Sequence, residues 1–182
     1  HAGIHTHTRV EVAFVDSEEV ISKGVSIFAD ADAILVPGGF GSRGFEGKIA
    51  AARYAREQKI PYLGICYGLH AAVIDFARHV VGLENANTTE NDTATQHPVI
   101  ALITDWTTAA GDLETRSATS DLGGTMRMGE QECVLTEDSL TFKIYGERTI
   151  SERHRHRYEV NESYVGQLES AGLRIAGRSE KD

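Results

Sequence analysis

A single cysteine occupies the kind of position in which enzymes hold a nucleophile. Cys66 follows an apolar run, residues 60–65, and precedes a helical stripe of apolar residues between positions 68 and 81. We therefore predict a short buried strand, a tight turn with Cys66 at its apex, and a helix. The free N–H groups at a helix start favour a thiolate and can hold an oxyanion. Gly64 and Gly68, which have no side chains, allow the backbone to form such a tight turn.

Attack on a carbonyl carbon, with formation of a thioester, is the chemistry that this arrangement suits. A buried cysteine that only fills core space is the alternative, and the glycines around Cys66 argue against it. The second cysteine, Cys133, lies in the strand-like stretch ECVLT without flanking glycines, and we interpret it as structural. Two cysteines so far apart do not form a disulfide framework, so we expect a reducing, cytoplasmic location.

Composition limits the possible functions. The chain has 182 residues, of which 41% are hydrophobic and 25% charged, and this predicts one soluble domain. Its net charge of −9 argues against nucleic-acid binding, which needs a basic face. No apolar run is long enough to span a membrane, so we expect no membrane partner.

Strands and helices are expected to alternate around Cys66. We predict strands at residues 10–14, 33–36, 60–65 and 98–104, and helices within residues 16–30, 45–59 and 68–81. This order predicts an α/β fold, a mostly parallel sheet with helices on both faces and ligands at the carboxyl ends of its strands. After Trp106 we predict a small antiparallel excursion built from residues 120–138 and 140–146, then a helix at 163–172 and a return to the sheet at 173–177.

Four motifs indicate a family. They are ILVPGGFGSRGFEGKIAAARYAREQKIPYLGIC, NANTTE, SDLGGTMRMG and ERHRHRYEVN, in this order. Together they make the chain similar to the C-terminal class I glutamine amidotransferase domain of CTP synthases, which has a flavodoxin-like fold. The resemblance implies hydrolysis of L-glutamine and transfer of the ammonia to a synthase domain of the same chain, which aminates UTP to CTP with ATP and Mg²⁺. It implies no cofactor and no metal in this domain, and a homotetramer for the full-length protein.

The resemblance also implies roles for individual residues. Cys66 is the nucleophile, and the oxyanion donors are the backbone N–H groups of Gly39 and Tyr67. Glu90 receives the α-ammonium of glutamine, and Arg157 contacts its α-carboxylate. The remaining residues expected around the substrate follow the cysteine directly: Gly68, Leu69 and His70.

Two residues depart from the family pattern. Tyr67 stands where the family usually has leucine, and we expect it to act mainly through its backbone N–H. His70 stands where the family has a glutamine that contacts the substrate, and an imidazole has fewer hydrogen-bonding groups and a different reach. We therefore expect this substitution to bear on the affinity for glutamine and not on the fold.

The catalytic base of the family lies in a late H-P-E stretch that the sequence does not contain. His97-Pro98 is followed by valine and is not that motif, and we do not assign the base to His154 or His156. We therefore expect residues 1–182 to be an amidotransferase domain truncated at both ends, without glutaminase activity by itself. The synthase domain is expected outside this sequence.

A different class of function stays open. A degenerate amidotransferase, or a DJ-1-type cysteine-elbow protein, would act as a non-catalytic binding module. His70 is the feature that favours this alternative. The motifs NANTTE and ERHRHRYEVN favour the enzyme, because a plain elbow protein has no need to bind both ends of an α-amino acid.

Overall fold

Helices and strands alternate through the first half of the chain, as predicted for an α/β protein. The computed structural model describes residues 2–102, 105–107, 113–115 and 126–179. The helical segments are α1 (Ala2–His5), α2 (Ser17–Lys23), a 3-10 turn (Val25–Phe28), α3 (Phe45–Gln58), α4 (Tyr67–Phe76), a π-helical turn (Ala77–Val81), α5 (Leu140–Tyr145) and α6 (Glu162–Ser170). The strands are β1 (Ile34–Val36), β2 (Tyr62–Gly64), β3 (Asn87–Thr88), β4 (Pro98–Leu102), β5 (Asp105–Thr107), β6 (Leu113–Thr115), β7 (Arg127–Leu135), β8 (Thr149–His156), β9 (Tyr158–Val160) and β10 (Gly177–Ser179).

The described strands form four sheets. Strands β1 and β2 pair in parallel, while β4 pairs in parallel with β3 and antiparallel with β9. Strand β7 lies between β10 and β8 in an antiparallel sheet, and β5 pairs antiparallel with β6. The antiparallel part is therefore larger than the sequence predicted. Of the motif at 120–129, residues 120–125 lie outside the described part of the chain.

Helix α4 joins the sheets that matter for the site. It packs against β1 and β2 of one sheet and against β3, β4 and β9 of another. Its buried side chains share one core with residues of α3, β4 and α6: Phe45, Ile49, Tyr67, Ala71, Val73, Ile74, Ala77, Ala86, Val99, Ile100 and Leu168. The buried Asp75 fixes α4 to α3, because its carboxylate accepts a hydrogen bond from Arg56 Nε at 2.8 Å and contacts His79 Nδ1 at 2.8 Å. These two contacts offset the free-energy cost of removing the carboxylate from water.

The strand predicted at residues 10–14 is wrong. This segment forms no regular element, and its apolar side chains Val10, Val12 and Phe14 are exposed. Alternation of apolar residues indicates a strand only where a neighbouring strand supplies hydrogen bonds, and none of the described strands pairs with it. The prediction that the strand within residues 60–65 is buried is also wrong in part, since Leu63 of β2 is 57% exposed. Its register partner in β1, Leu35, is 59% exposed.

The strands predicted at residues 140–146 and 173–177 are also wrong, the first because of a local helix cap and the second because of pairing with a distant strand. Residues 140–146 form helix α5 instead of a strand, because Ser139 Oγ accepts the Phe142 N–H at 2.9 Å and Gly146 ends the helix in a left-handed conformation. Residues 173–176 form no strand, and the chain pairs only at β10, with β7 of the antiparallel sheet. The helix predicted at 163–172 is confirmed as α6.

Two glycines let α4 begin directly on the ends of β1 and β2. A Cβ atom added at Gly68 would overlap the carbonyl oxygen of Val36. A Cβ added at Gly64 would lie 2.6 Å from the carbonyl carbon and oxygen of Gly68. The first turn of the helix therefore rests on strand backbone, at a distance that only glycine allows.

This contact predicts a large difference between two glycine-to-alanine substitutions. Gly68→Ala should lower the free energy of unfolding by about 3 kcal/mol or more, because the clash is with backbone. Gly166→Ala is the matched control in α6, where an added Cβ meets nothing within 4 Å. The control should raise stability by up to about 1 kcal/mol through helix propensity. Urea unfolding followed by circular dichroism measures both, and equal stabilities would contradict the close packing.

Candidate active site

Cys66 lies at the apex of the predicted turn. Strand β2 ends at Gly64, α4 begins at Tyr67, and Cys66 caps the helix with φ 53° and ψ −107°. A non-glycine residue rarely adopts this conformation, which the packing of Gly64 and Gly68 enforces. The side chain is half-buried, and its thiol is free. The strand–turn–helix prediction is confirmed, while the nucleophilic role stays a prediction.

The glycine loop, residues 37–41, lies beside Cys66. It follows β1, whose Val36 carbonyl accepts the Ile65 N–H at 3.0 Å and so aligns the two strand ends. A Cβ added at Gly38 would lie 3.5 Å from the Cys66 Cβ, and one added at Gly39 would lie 3.5 Å from the Tyr67 ring. The structure therefore places Gly39 against the Tyr67 ring and Gly38 against the Cβ atom of Cys66.

Glu90 is also tied to the glycine loop. The Gly41 N–H donates a hydrogen bond to Glu90 Oε1 at 3.0 Å, across 49 positions of sequence. Glu90 follows β3, and its own N–H donates to Thr88 Oγ1 at 3.2 Å. One carboxylate therefore joins the loop beside Cys66 to the turn after β3.

Arg157 and Glu90 flank the carboxyl end of β4. Thr88 pairs with Ile100 on one side of β4, and Tyr158 pairs with Leu102 on the other. Burial raises the pKa of the Tyr158 hydroxyl, the Glu90 charge adds to this rise, and the Arg157 charge opposes it. Both charged groups thus lie within electrostatic reach of one tyrosine.

Arg157 sits on a turn between β8 and β9 that an ion-pair cluster holds. Glu159 Oε1 lies 2.6 Å from His156 Nε2 and 2.6 Å from Arg127 Nε. Burial raises the pKa of the Glu159 carboxyl, but His156 and Arg127 outweigh it, and the pKa is lowered overall. The Nε atom of Arg157 is itself buried and has no hydrogen-bond partner among the described residues.

His70 is buried, with 6% of its surface exposed, and its Nδ1 has no hydrogen-bond partner in the described part of the chain. Burial, together with the nearby His156, lowers the pKa of His70 to about 4, although the hydrogen bond with the Tyr158 backbone and the Glu159 charge act in the opposite direction. The imidazole is therefore neutral at pH 7. An unpaired buried nitrogen is costly, which makes His70 a candidate for a ligand contact.

The other predicted residues contribute less to this group. Gly68 serves the packing of α4, and Leu69 is 49% exposed. Cys133 pairs within the antiparallel sheet, in agreement with a structural role. His97 precedes β4 and makes an edge contact with the Tyr164 ring at 6.5 Å between centroids.

Sequence reasoning missed Asn91 and the side chain of Tyr67. The Tyr67 hydroxyl donates to the Gly41 carbonyl at 2.6 Å, and Asn91 Nδ2 donates to that hydroxyl at 2.6 Å. The Tyr67 ring stacks on Phe45 with 4.4 Å between centroids. The only signal in the sequence was the position of Asn91 directly after NANTTE.

Comparison with known proteins gives the family. The sequence model described as "Glutamine amidotransferase class-I" matches residues 1–182. The chain belongs to the class I glutamine amidotransferases. Among solved structures it is similar to the glutaminase domain of Trypanosoma brucei CTPS with bound acivicin, at 35% sequence identity and a TM-score of 0.84. The match covers 98% of this chain and 65% of that one, so the amidotransferase chain spans less than two thirds of its neighbour.

Among the described residues, no helix combines the length and apolar character that crossing a bilayer requires. In the same residues, no three His, Cys, Asp or Glu side chains are grouped so that they could hold a metal ion.

We expect iodoacetamide to label Cys66 faster than Cys133 in the folded amidotransferase. The Cys133 thiol has a raised pKa because of burial and of the Glu152 charge, so it forms less of the reactive thiolate. Cys66 stands at the start of a helix, in the turn between β2 and α4. A limiting dose followed by peptide mass spectrometry measures the two sites, with urea-unfolded protein as control. Preferential labelling of Cys133 would contradict the elbow assignment.

The burial of His70 predicts a pH dependence of stability. Because its folded-state pKa of about 4 lies below the unfolded value near 6.5, protons favour the unfolded chain. Above pH 6.5 the ring is neutral in both states and does not change the stability. Below pH 6.5 the unfolded chain binds a proton that the buried ring does not bind, so the free energy of unfolding falls by about 3 kcal/mol as the pH drops from 6.5 to 4. Denaturant titrations across this range should show the fall, and His70→Gln should remove it. His5→Gln, at an exposed position, is the control and should leave the profile unchanged.

Proposed function

We propose that this domain hydrolyses L-glutamine through a thioester on Cys66. The observation that carries the proposal is the hydrogen bond from Gly41 to Glu90, 3.0 Å long. It joins the loop beside the cysteine to a carboxylate that can receive an α-ammonium group. A cysteine elbow without a role in amino-acid chemistry does not explain this connection.

The proposed chemical steps are those that the resemblance to the family implies for these residues. The Cys66 thiolate attacks the carbonyl carbon of the glutamine side-chain amide, and the N–H groups of Gly39 and Tyr67 hold the oxyanion. Collapse of the tetrahedral intermediate breaks the C–N bond, and the nitrogen leaves as ammonia after it receives a proton. Water then attacks the thioester, which releases glutamate and restores the thiol. We assign the proton transfers to the H-P-E stretch expected outside these 182 residues.

Recognition of the amino-acid end uses opposite charges across β4. Glu90 keeps acceptor capacity beyond its bond to Gly41, and we assign the α-ammonium to it. Arg157, whose Nε has no partner among the described residues, receives the α-carboxylate. Strands that flank a common neighbour lie about 10 Å apart, which is the scale of one amino acid.

His70 takes the place of an amide in this pocket, beside Leu69 and Gly68. Because the ring is neutral, one nitrogen donates and the other accepts. The backbone of Tyr158 interacts with the ring, which leaves Nδ1 for the substrate. We propose that glutamine is bound here with one fewer contact than an amide side chain would provide.

The ammonia is proposed to serve CTP formation. Support comes from the similarity to the Trypanosoma brucei CTPS domain and from the motifs NANTTE and ERHRHRYEVN. On this proposal a synthase domain aminates UTP with ATP and Mg²⁺, this domain itself needs no cofactor, and the full-length protein is a cytoplasmic homotetramer. That neighbour holds bound acivicin, which supports a ligand site in this domain.

Substitution of Glu90 and Arg157 tests the proposal in the protein expressed from its complete gene. Glu90→Ala and Arg157→Ala should each lower kcat/KM for glutamine by roughly ten- to a hundredfold, since each removes a charge-assisted contact worth about 1.5–3 kcal/mol. CTP formation from added ammonia should stay within about twofold of wild type, because ammonia bypasses the glutamine site.

Glu84→Ala and Arg155→Ala are the matched controls, since both side chains are exposed. Neither should change either reaction. An equal fall of the glutamine and ammonia reactions in the Glu90 and Arg157 variants would make these residues structural. Absence of glutamine hydrolysis in the wild-type protein would favour the non-catalytic binding module.

A further inference from the structure

We infer that the Tyr67 hydroxyl is a positioning group that fixes the glycine loop against the turn carrying Glu90. The inference rests on the proposed glutamine hydrolysis at Cys66 and adds a side-chain role to a residue assigned there only through its backbone N–H. Because leucine usually stands at this position in the family, the hydroxyl is a feature of this chain and not of the common mechanism.

Both backbone groups of Gly41 are held, and by different segments. Its N–H donates to Glu90 Oε1 at 3.0 Å, while its carbonyl accepts from the Tyr67 hydroxyl at 2.6 Å. Gly41 has a left-handed φ of 79°, a conformation that glycine adopts without strain. The end of the glycine loop is therefore fixed in orientation from α4 and from the turn after β3 at once.

The Tyr67 hydroxyl links the glycine loop to the turn after β3. It donates to Gly41 and accepts from Asn91 Nδ2 at 2.6 Å, so its donor and acceptor functions are both used. The Tyr67 residue is 1% exposed, and burial raises its pKa to about 12. The hydroxyl thus keeps its proton, and remains a donor to Gly41, at every pH at which the protein is expected to act.

The ring is held independently of the hydroxyl. It stacks on Phe45 at 4.4 Å and makes an edge contact with His70 at 6.0 Å. Removal of the oxygen alone therefore leaves the ring in place and releases only the loop. Since an oxyanion donor acts through its distance to the developing charge, a loosened Gly39 N–H should slow the chemical step.

Tyr67→Phe tests the inference in the protein expressed from its complete gene. We expect amide hydrogen exchange of residues 38–41 to become about five- to tenfold faster, because a hydrogen bond of ordinary strength is lost. We also expect kcat for glutamine to fall about five- to tenfold with a smaller change in KM, and ammonia-dependent CTP formation to be unchanged. Tyr54→Phe is the matched control, a half-buried tyrosine against Phe28, and should change neither.

Asn91→Ala tests the same link from the other side and leaves Tyr67 intact. It should speed exchange in residues 38–41 in the same direction, which keeps the inference testable should Tyr67→Phe fold poorly. Unchanged exchange in both variants would overturn the inference, and so would faster exchange with an unchanged kcat. A wild-type protein that does not hydrolyse glutamine would refute the proposed function, while the exchange data would still decide whether Tyr67 fixes the loop.

Discussion

The site depends on one contact between backbones. The first turn of α4 lies on the carbonyl end of β1, at a distance that excludes any side chain at Gly68. This contact fixes where the helix starts, and the chain reaches that start from β2 only through a residue with positive φ. Cys66 is that residue. The position of the thiol therefore follows from how closely α4 packs on the strands. The backbone strain at Cys66 is compensated by the packing of the whole helix.

The elbow could be predicted from sequence because its determinants are local. Two glycines, an apolar run and a helical stripe lie within about twenty positions of Cys66, and the family motifs added Gly39, Glu90 and Arg157. Contacts between distant segments could not be predicted in this way. The bond between Gly41 and Glu90 depends on how β3 is placed relative to β1, and no local pattern encodes that placement.

The errors have different physical origins. An alternating pattern predicts a strand only if a partner strand exists, and residues 10–14 have none among the described strands. Apolar residues in 140–146 suggested a strand, but the capping hydroxyl of Ser139 and the left-handed Gly146 decided for a helix. The role of the Tyr67 side chain was missed for another reason. The position of Tyr67 directly after Cys66 gives no indication of the partners of its hydroxyl, and Gly41 and Asn91 come from two other segments.

The sheets that carry the site are not hydrogen-bonded to each other in the described part of the chain. Strands β1 and β2 bring the glycine loop and Cys66, while β3, β4 and β9 bring Glu90 and Arg157. Helix α4 and a few side-chain bonds connect the two halves. An amino acid bound between them would contact both halves at once. Its binding free energy would add to the free energy of unfolding, and the two halves would unfold more cooperatively than in the unliganded protein.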